Sequence, residues 1–229
     1  MKIIKSLIAL SIVIFIPFGI MIWMRIHETS GFASQELIAY PLLFGGGSIL
    51  VLVLLKKYFL KEPLSEFNAG KGNALSDIGW GLALTLIYFI LFYLERATLS
   101  DILSFRSNSE MMNLMLDMRN NTLWVILWFG PVLWIGIALY EELIRVFLLS
   151  SMWKWSESTY WIGGVIVFSA VLIGLGHWYQ GPYGIVTIGI KSLVSGFFYF
   201  KIRRLFPLVL AHALYDGIQV GLFMLTYPG

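Results

Sequence analysis

Apolar residues run through this chain in long, nearly unbroken blocks, not in the alternating or one-faced patterns of soluble strands and helices. The blocks are Ile3–Met24, Leu37–Leu55, Ile78–Leu94, Thr122–Met152, Thr159–Leu175, Tyr183–Phe200 and Phe206–Tyr227. A helix needs roughly 20 apolar residues to cross a bilayer. The pattern therefore predicts an all-α fold, a polytopic transmembrane helix bundle of about seven spans forming one membrane domain over 1–229. The fourth block is too long for one straight crossing, and Gly130-Pro131 is expected to kink or restart it. The Lys56–Asp77 connection is polar and mixed in charge. Ser100–Arg119 places Met111, Met112, Leu114, Met115 and Met118 among charges and reads as an interfacial helix or a partly helical loop. Gly45-Gly46-Gly47 marks a bend or a packing site. There is no internal repeat and no low-complexity tract.

Composition strengthens the membrane reading. Hydrophobic residues make up 59% of the chain, charged residues 13%, and the mean hydropathy is +0.81, against about 45–50% apolar and 25% charged in soluble domains. The first block is longer than the ~7–15 residues of a signal-peptide core and ends at Trp23-Met24-Arg25 without a small-residue cleavage site, so it is expected to be an uncleaved span. The absence of Cys removes disulfides, thiolate ligands and cysteine nucleophiles together. The net charge of +3 is dispersed among connecting loops and gives no nucleic-acid signal. In alternating loops ten Lys and Arg fall on the N-terminal side, against Arg25, Arg96, Arg106 and Arg119 on the other, with Arg145 and Lys191 inside spans. This bias predicts a cytoplasmic N-terminus and an external C-terminus. Trp153, Trp155 and Trp161 would then form an aromatic belt at the cytoplasmic interface.

Against this background, three short polar knots stand out: Tyr140-Glu141-Glu142-Leu143-Ile144-Arg145, Gly176-His177-Trp178-Tyr179-Gln180-Gly181 and Ala211-His212-Ala213-Leu214-Tyr215-Asp216. Ionisable groups inside a membrane segment are costly and usually mark a functional site facing the bundle interior. On a helix, Arg145 can meet Glu141 four residues back or Glu142 three residues back. An Arg that holds one carboxylate ionised leaves the other free for proton transfer. The simpler alternative is a self-neutralising pair that locks helices together. His212 and Asp216 are one turn apart, so Asp216 can fix the tautomer of His212. His177 precedes Gly-rich sequence and is expected where a helix stops or bends. For a single His on an apolar face, a satisfied core residue is the ordinary reading; three knots together favour a site.

These residue types suit peptide hydrolysis. A carboxylate can deprotonate water, and two imidazoles can stabilise an oxyanion or ligate a metal. Two His and a Glu (Glu141, His177 and His212) also form a competent zinc set, so zinc is an option although no cofactor is required. Other intramembrane proteases fit poorly. The only His-Glu pair is His27-Glu28, and Gly31 stands where His-Glu-x-x-His needs its second ligand. Asp216 is the only Asp in a predicted span, and no Gly-x-Ser-Gly segment is present.

The three knots in this order resemble the CAAX prenyl protease and bacteriocin-processing family, also called Abi or type II CAAX proteases, which are intramembrane glutamate proteases. The family pattern is Glu-Glu-x-x-x-Arg, then Phe-x-x-x-His, then His-x-x-x-Asn/Asp. The resemblance covers roughly Trp128 to Val220, a protease-like core over 128–220. His212 to Asp216 matches fully, and Ile173 replaces Phe in the second motif. Arg145 follows the Glu pair after two residues, not three. Either Glu141 takes the second Glu position, with Tyr140 in the first, or Glu141-Glu142 remain the pair and Val146 stands where the family has Arg.

The resemblance implies an endopeptidase in which Glu141, with Glu142 as runner-up, activates water. It further implies that His177 and His212 stabilise the oxyanion, that Asp216 positions His212 or the intermediate, and that Arg145 is a structural ion-pair partner. The implied partners are membrane lipid and a peptide or membrane-protein substrate, with no nucleic acid, in a bacterial or archaeal plasma membrane. Two other readings remain open at this point. One is a non-catalytic family member that binds a partner or confers bacteriocin immunity. The other is a transporter or proton relay, suggested by Lys191 in mid-span.

Overall fold

The computed structural model describes residues 2–17, 19–20, 35–104 and 109–227. Among these residues there is no strand. We number the helices α1 (Ile3–Phe15), α2 (Glu36–Phe59), α3 (Ala74–Leu99), α4 (Ser109–Arg119), α5 (Thr122–Trp153), α6 (Thr159–Gly176), α7 (Gly181–Ile202) and α8 (Phe206–Thr226). Six of them, α2, α3 and α5 to α8, are long and apolar enough to cross a membrane. The protein is an integral, multi-pass membrane protein with an all-α bundle. The predicted first span is described to Ile20 apart from residue 18, with α1 as its shorter helix; residues 21–34, with Arg25 and the His27-Glu28 pair, lie outside the described residues, as does Arg106.

The predicted third span grows at both ends for local reasons. Asn73 caps α3 by accepting from the Ser76 N–H at 2.9 Å, while the Asn73 N–H donates to Ser76 Oγ at 2.9 Å, a reciprocal cap that starts the helix before its apolar run. At its far end α3 continues past the apolar run and carries Glu95 and Arg96 inside the helix, where the sequence places Arg96 in a loop.

Helix α5 is the central element, packed against α1, α2, α6, α7 and α8. At 32 residues it is about 48 Å long if straight, well beyond a hydrocarbon core of about 30 Å. Gly130 leaves the helical region (φ −91°, ψ −111°) ahead of Pro131, which produces the expected kink. Past the kink α5 winds in a wide i→i+5 register as far as Leu139, just before the Glu pair. The glycine run at 45–47 is a packing site, not a bend. A Cβ on Gly45 would lie 2.3 Å from the Gly136 carbonyl oxygen, and one on Gly136 would lie 2.8 Å from the Pro41 carbonyl. Small residues here let the backbones of α2 and α5 touch.

The polar ends of the bundle are tied together. Buried Lys56, at the end of α2, meets Glu62 at 3.0 Å and Glu66 at 2.6 Å, and Lys154, after α5, meets the same two carboxylates at 2.7 Å each. Arg203 adopts a left-handed conformation (φ 51°) that ends α7, and its carbonyl accepts from the Gly70 N–H at 2.9 Å. Arg204 forms a bidentate pair with Asp77 in the first turn of α3. The expected tryptophan belt is built into the protein: Trp153 is buried and stacked on Tyr199 at 5.9 Å. Trp161 donates to the Met152 carbonyl at 2.8 Å. Helix α4 is joined to α8 by Arg119, which donates to the Met224 carbonyl at 3.0 Å.

Two outcomes follow from this packing. Gly45→Ala should destabilise the bundle by about 1–3 kcal/mol, because the backbone contact cannot absorb a methyl group; thermal unfolding in detergent measures it. Burial pushes the Glu62 carboxyl up, but hydrogen bonds from Lys154 and Lys56 outweigh it and hold the group below the usual carboxylate range. A depressed folded-state value makes this stabilisation complete above the unfolded-state value and progressively lost as pH falls through the folded one. The melting temperature should therefore drop on acidification below the carboxylate range, and Glu62→Gln should flatten that drop.

Candidate active site

The site forms where the second half of α5 faces α8, with α7 behind it. Glu141 and Glu142 are successive residues on α5 and so project about 100° apart. Their surroundings differ sharply. The Glu142 side chain is 1% exposed and forms the ion pair with Arg145 one turn on, while Glu141 is 28% exposed. Of the two partners that helical spacing allows Arg145, the structure selects Glu142. The pairing with Glu141 is not made, because Arg145 turns toward α7, where its Nε donates to Ser192 Oγ at 3.2 Å.

His212 on α8 completes the buried pair. Its Nδ1 lies 2.9 Å from Glu142 Oε1, and its Nε2 lies 3.2 Å from Asp216 Oδ2 and 4.0 Å from Glu141 Oε2. Both ring nitrogens face carboxylates, so the bonds to Glu142 and Asp216 orient the ring from two sides. Asp216 reaches back one turn along α8, as the spacing predicts, and stays 34% exposed. The result is an asymmetric set: Glu142 is fixed by Arg145 and His212, while Glu141 and Asp216 keep access to the surroundings beside the same imidazole.

His177 is tied to its own helix. It caps the end of α6, with its N–H on the Gly174 carbonyl at 3.0 Å, and its Nδ1 lies 2.9 Å from the Ile173 carbonyl. A carbonyl can only accept, so Nδ1 carries the proton, which in the neutral ring leaves Nε2 as an acceptor. No ion pair joins His177 to a carboxylate among the described residues. The zinc set of Glu141, His177 and His212 is not assembled either. No group of three or more His, Asp or Glu among the described residues is placed to hold a metal, and both His212 nitrogens are already engaged.

Residues 122–218 match the model of the family described as type II CAAX prenyl endopeptidase Rce1-like. Over this segment, which is under half of its 229 residues, the chain is similar to that family. The matched segment spans all three polar knots and contains α5, α6 and α7 whole with the first part of α8. No curated protein and no solved structure matches the chain. The Rce1-like match supports a CAAX-type intramembrane protease.

Helix α7 supplies contacts that sequence reasoning passes over. Ser192 receives Arg145, Ser195 bonds the Tyr88 hydroxyl of α3, and Lys191 pairs with Glu95 of α3. A signal for them is present in the Rce1-like segment: Thr187, Lys191, Ser192 and Ser195 recur at helical spacing and lie close to one face of an otherwise apolar span. The buried Glu142–Arg145 pair has a measurable consequence. Arg145→Ala should destabilise the protein by about 3–5 kcal/mol, since it strands a buried carboxylate. Adding Glu142→Gln should recover part of that loss, as read by thermal unfolding in detergent.

Proposed function

We propose that the protein is an intramembrane endopeptidase in which Glu141 activates the attacking water. The observation that carries this reading is the division of labour between adjacent carboxylates. Glu142 is committed to Arg145 and His212, whereas Glu141 is partly exposed 4.0 Å from the same imidazole. That geometry favours taking Glu141-Glu142 as the family's Glu pair, with Glu141 first and Val146 at the family's Arg position. Arg145 reaches Glu142 from one residue earlier.

In the proposed reaction Glu141 takes a proton as the water oxygen attacks the scissile carbonyl carbon. The developing oxyanion is stabilised by His212, whose Nε2–H turns from Asp216 to the oxyanion while Glu142 holds Nδ1, with His177 assigned as the second stabilising imidazole. The C–N bond then breaks as Glu141 returns the proton to the leaving amine. No step is assigned to zinc. The substrate would be a peptide or membrane-protein segment cut within or near the bilayer, in a single domain with its protease-like core over 128–220. The lysine and arginine bias supports a cytoplasmic N-terminus.

The test is Glu141→Gln in purified protein reconstituted in lipid. Hydrolysis of a fluorogenic membrane peptide should fall by at least about 100-fold, at the strong end of what a general base contributes, with the melting temperature nearly unchanged. Unimpaired cleavage by this variant would remove Glu141 as the base. Tight peptide binding without cleavage by the unaltered protein would favour the partner-binding reading.

A further inference from the structure

Behind the cluster lies a second buried ion pair that the reaction does not use. Lys191 of α7 bonds Glu95 of α3, both side chains being largely withdrawn from solvent. The other Glu95 oxygen is buried with no hydrogen-bond partner among the described residues, so Lys191 supplies the hydrogen bond that holds this carboxylate. The ammonium also lies 5.7 Å over the ring of Tyr215. Tyr215 packs edge-on against Tyr88 at 5.6 Å and tilted against Phe89 at 5.1 Å, both from α3. Tyr88 in turn bonds Ser195, one turn along α7 from Lys191. Tyr215 is thus gripped between a cation and two aromatic rings, and the next residue of α8 is Asp216.

A helix such as α8 has little in its own backbone to fix its rotation about its axis. That rotation decides whether His212 and Asp216 face Glu142 and Glu141 or turn away. We propose that Lys191, with Glu95 as its counter-ion, is a positioning residue that sets the rotation of α8 through Tyr215 and so aims His212 and Asp216 at the Glu pair. A self-neutralising lock between α3 and α7 would need no aromatic ring beneath the ammonium. The contact with Tyr215 carries the influence of the pair onto the helix that bears the site.

The effect on turnover rests on the peptidase reading; the effect on His212 does not. In lipid-reconstituted protein that cleaves the fluorogenic peptide, Lys191→Met should lower kcat by about 10- to 100-fold, the scale expected for misplacing a catalytic group by an ångström or less. KM should stay within about twofold, because bound-state affinity is not the quantity altered. Lys191→Arg, which keeps a cation over the ring, should restore most of kcat, and Glu95→Gln should move it in the same direction as Lys191→Met. The second readout is the ring nitrogen resonance of His212 in histidine-labelled protein, where only 3 His contribute and His212→Gln identifies the signal. That resonance should shift in Lys191→Met and return in Lys191→Arg.

An unmoved His212 resonance in both Lys191→Met and Glu95→Gln would overturn the proposal. So would a Lys191→Arg variant no better than Lys191→Met. If the unaltered protein hydrolyses nothing, or if Glu141→Gln still cleaves, the peptidase reading fails while the His212 resonance still decides the positioning role. Glu95→Gln keeps the experiment decisive if Lys191→Met does not fold.

Discussion

Removing one charge from water and leaving it in the middle of a membrane is prohibitive, so the carboxylate of Glu142 dictates much of what surrounds it. It is met by Arg145 from its own helix and by His212 from α8, and Arg145 is anchored in turn on Ser192 of α7. Three helices therefore converge on one buried carboxylate. A half-satisfied network of this kind is worse than an apolar core, because each unpaired member would keep its full desolvation penalty. The helices that supply the partners are held in register by that requirement as much as by shape.

Close packing makes such a convergence feasible. Gly45 and Gly136 let α2 and α5 meet backbone to backbone, and Gly174 does the same between α6 and α7, where a Cβ would lie 2.6 Å from the Ile185 carbonyl oxygen. Lipid offers no hydrophobic drive for helices to associate, so contact area and polar bonds between them must do it. The ion pairs at the polar ends of the bundle, Lys56 and Lys154 on Glu62 and Glu66, and Arg204 on Asp77, close the short connections over the same packed helices. Within this frame one carboxylate is immobilised and its neighbour is left with access, an asymmetry that two equally buried acids could not provide.

Most of the helices are legible in the residue pattern alone. Whether a segment spans is a local property, since a backbone in lipid must satisfy its hydrogen bonds within its own helix. Blocks of apolar residues therefore locate six spans to within a few residues, and Gly130-Pro131 locates the kink. The polar knots are legible for a related reason, because a Glu, His or Asp in such a block is conspicuous against it. Ser192 and Ser195 are not, since a small hydroxyl in an apolar helix is ordinary until its partner is known. Lys191 stands out as a charge, but its counter-ion Glu95 is distant in sequence and lies just beyond the predicted end of its span.

Pairing is a different matter. Helical spacing allows Arg145 to reach Glu141 or Glu142 equally, and only the placement of Ser192 and His212 on neighbouring helices turns it toward Glu142. Spacing likewise joins His212 to Asp216, yet nothing along the chain says that α8 presents both to α5. The Nδ1 of His177 is bonded to the carbonyl of Ile173 at the end of its own helix, a contact that nothing in its sequence setting announces. The sequence by itself determined which segments cross the membrane and which residues are too polar to face lipid, because those costs are counted segment by segment. The tertiary structure decided which of those residues meet, because that depends on how α3, α5, α7 and α8 are rotated against one another.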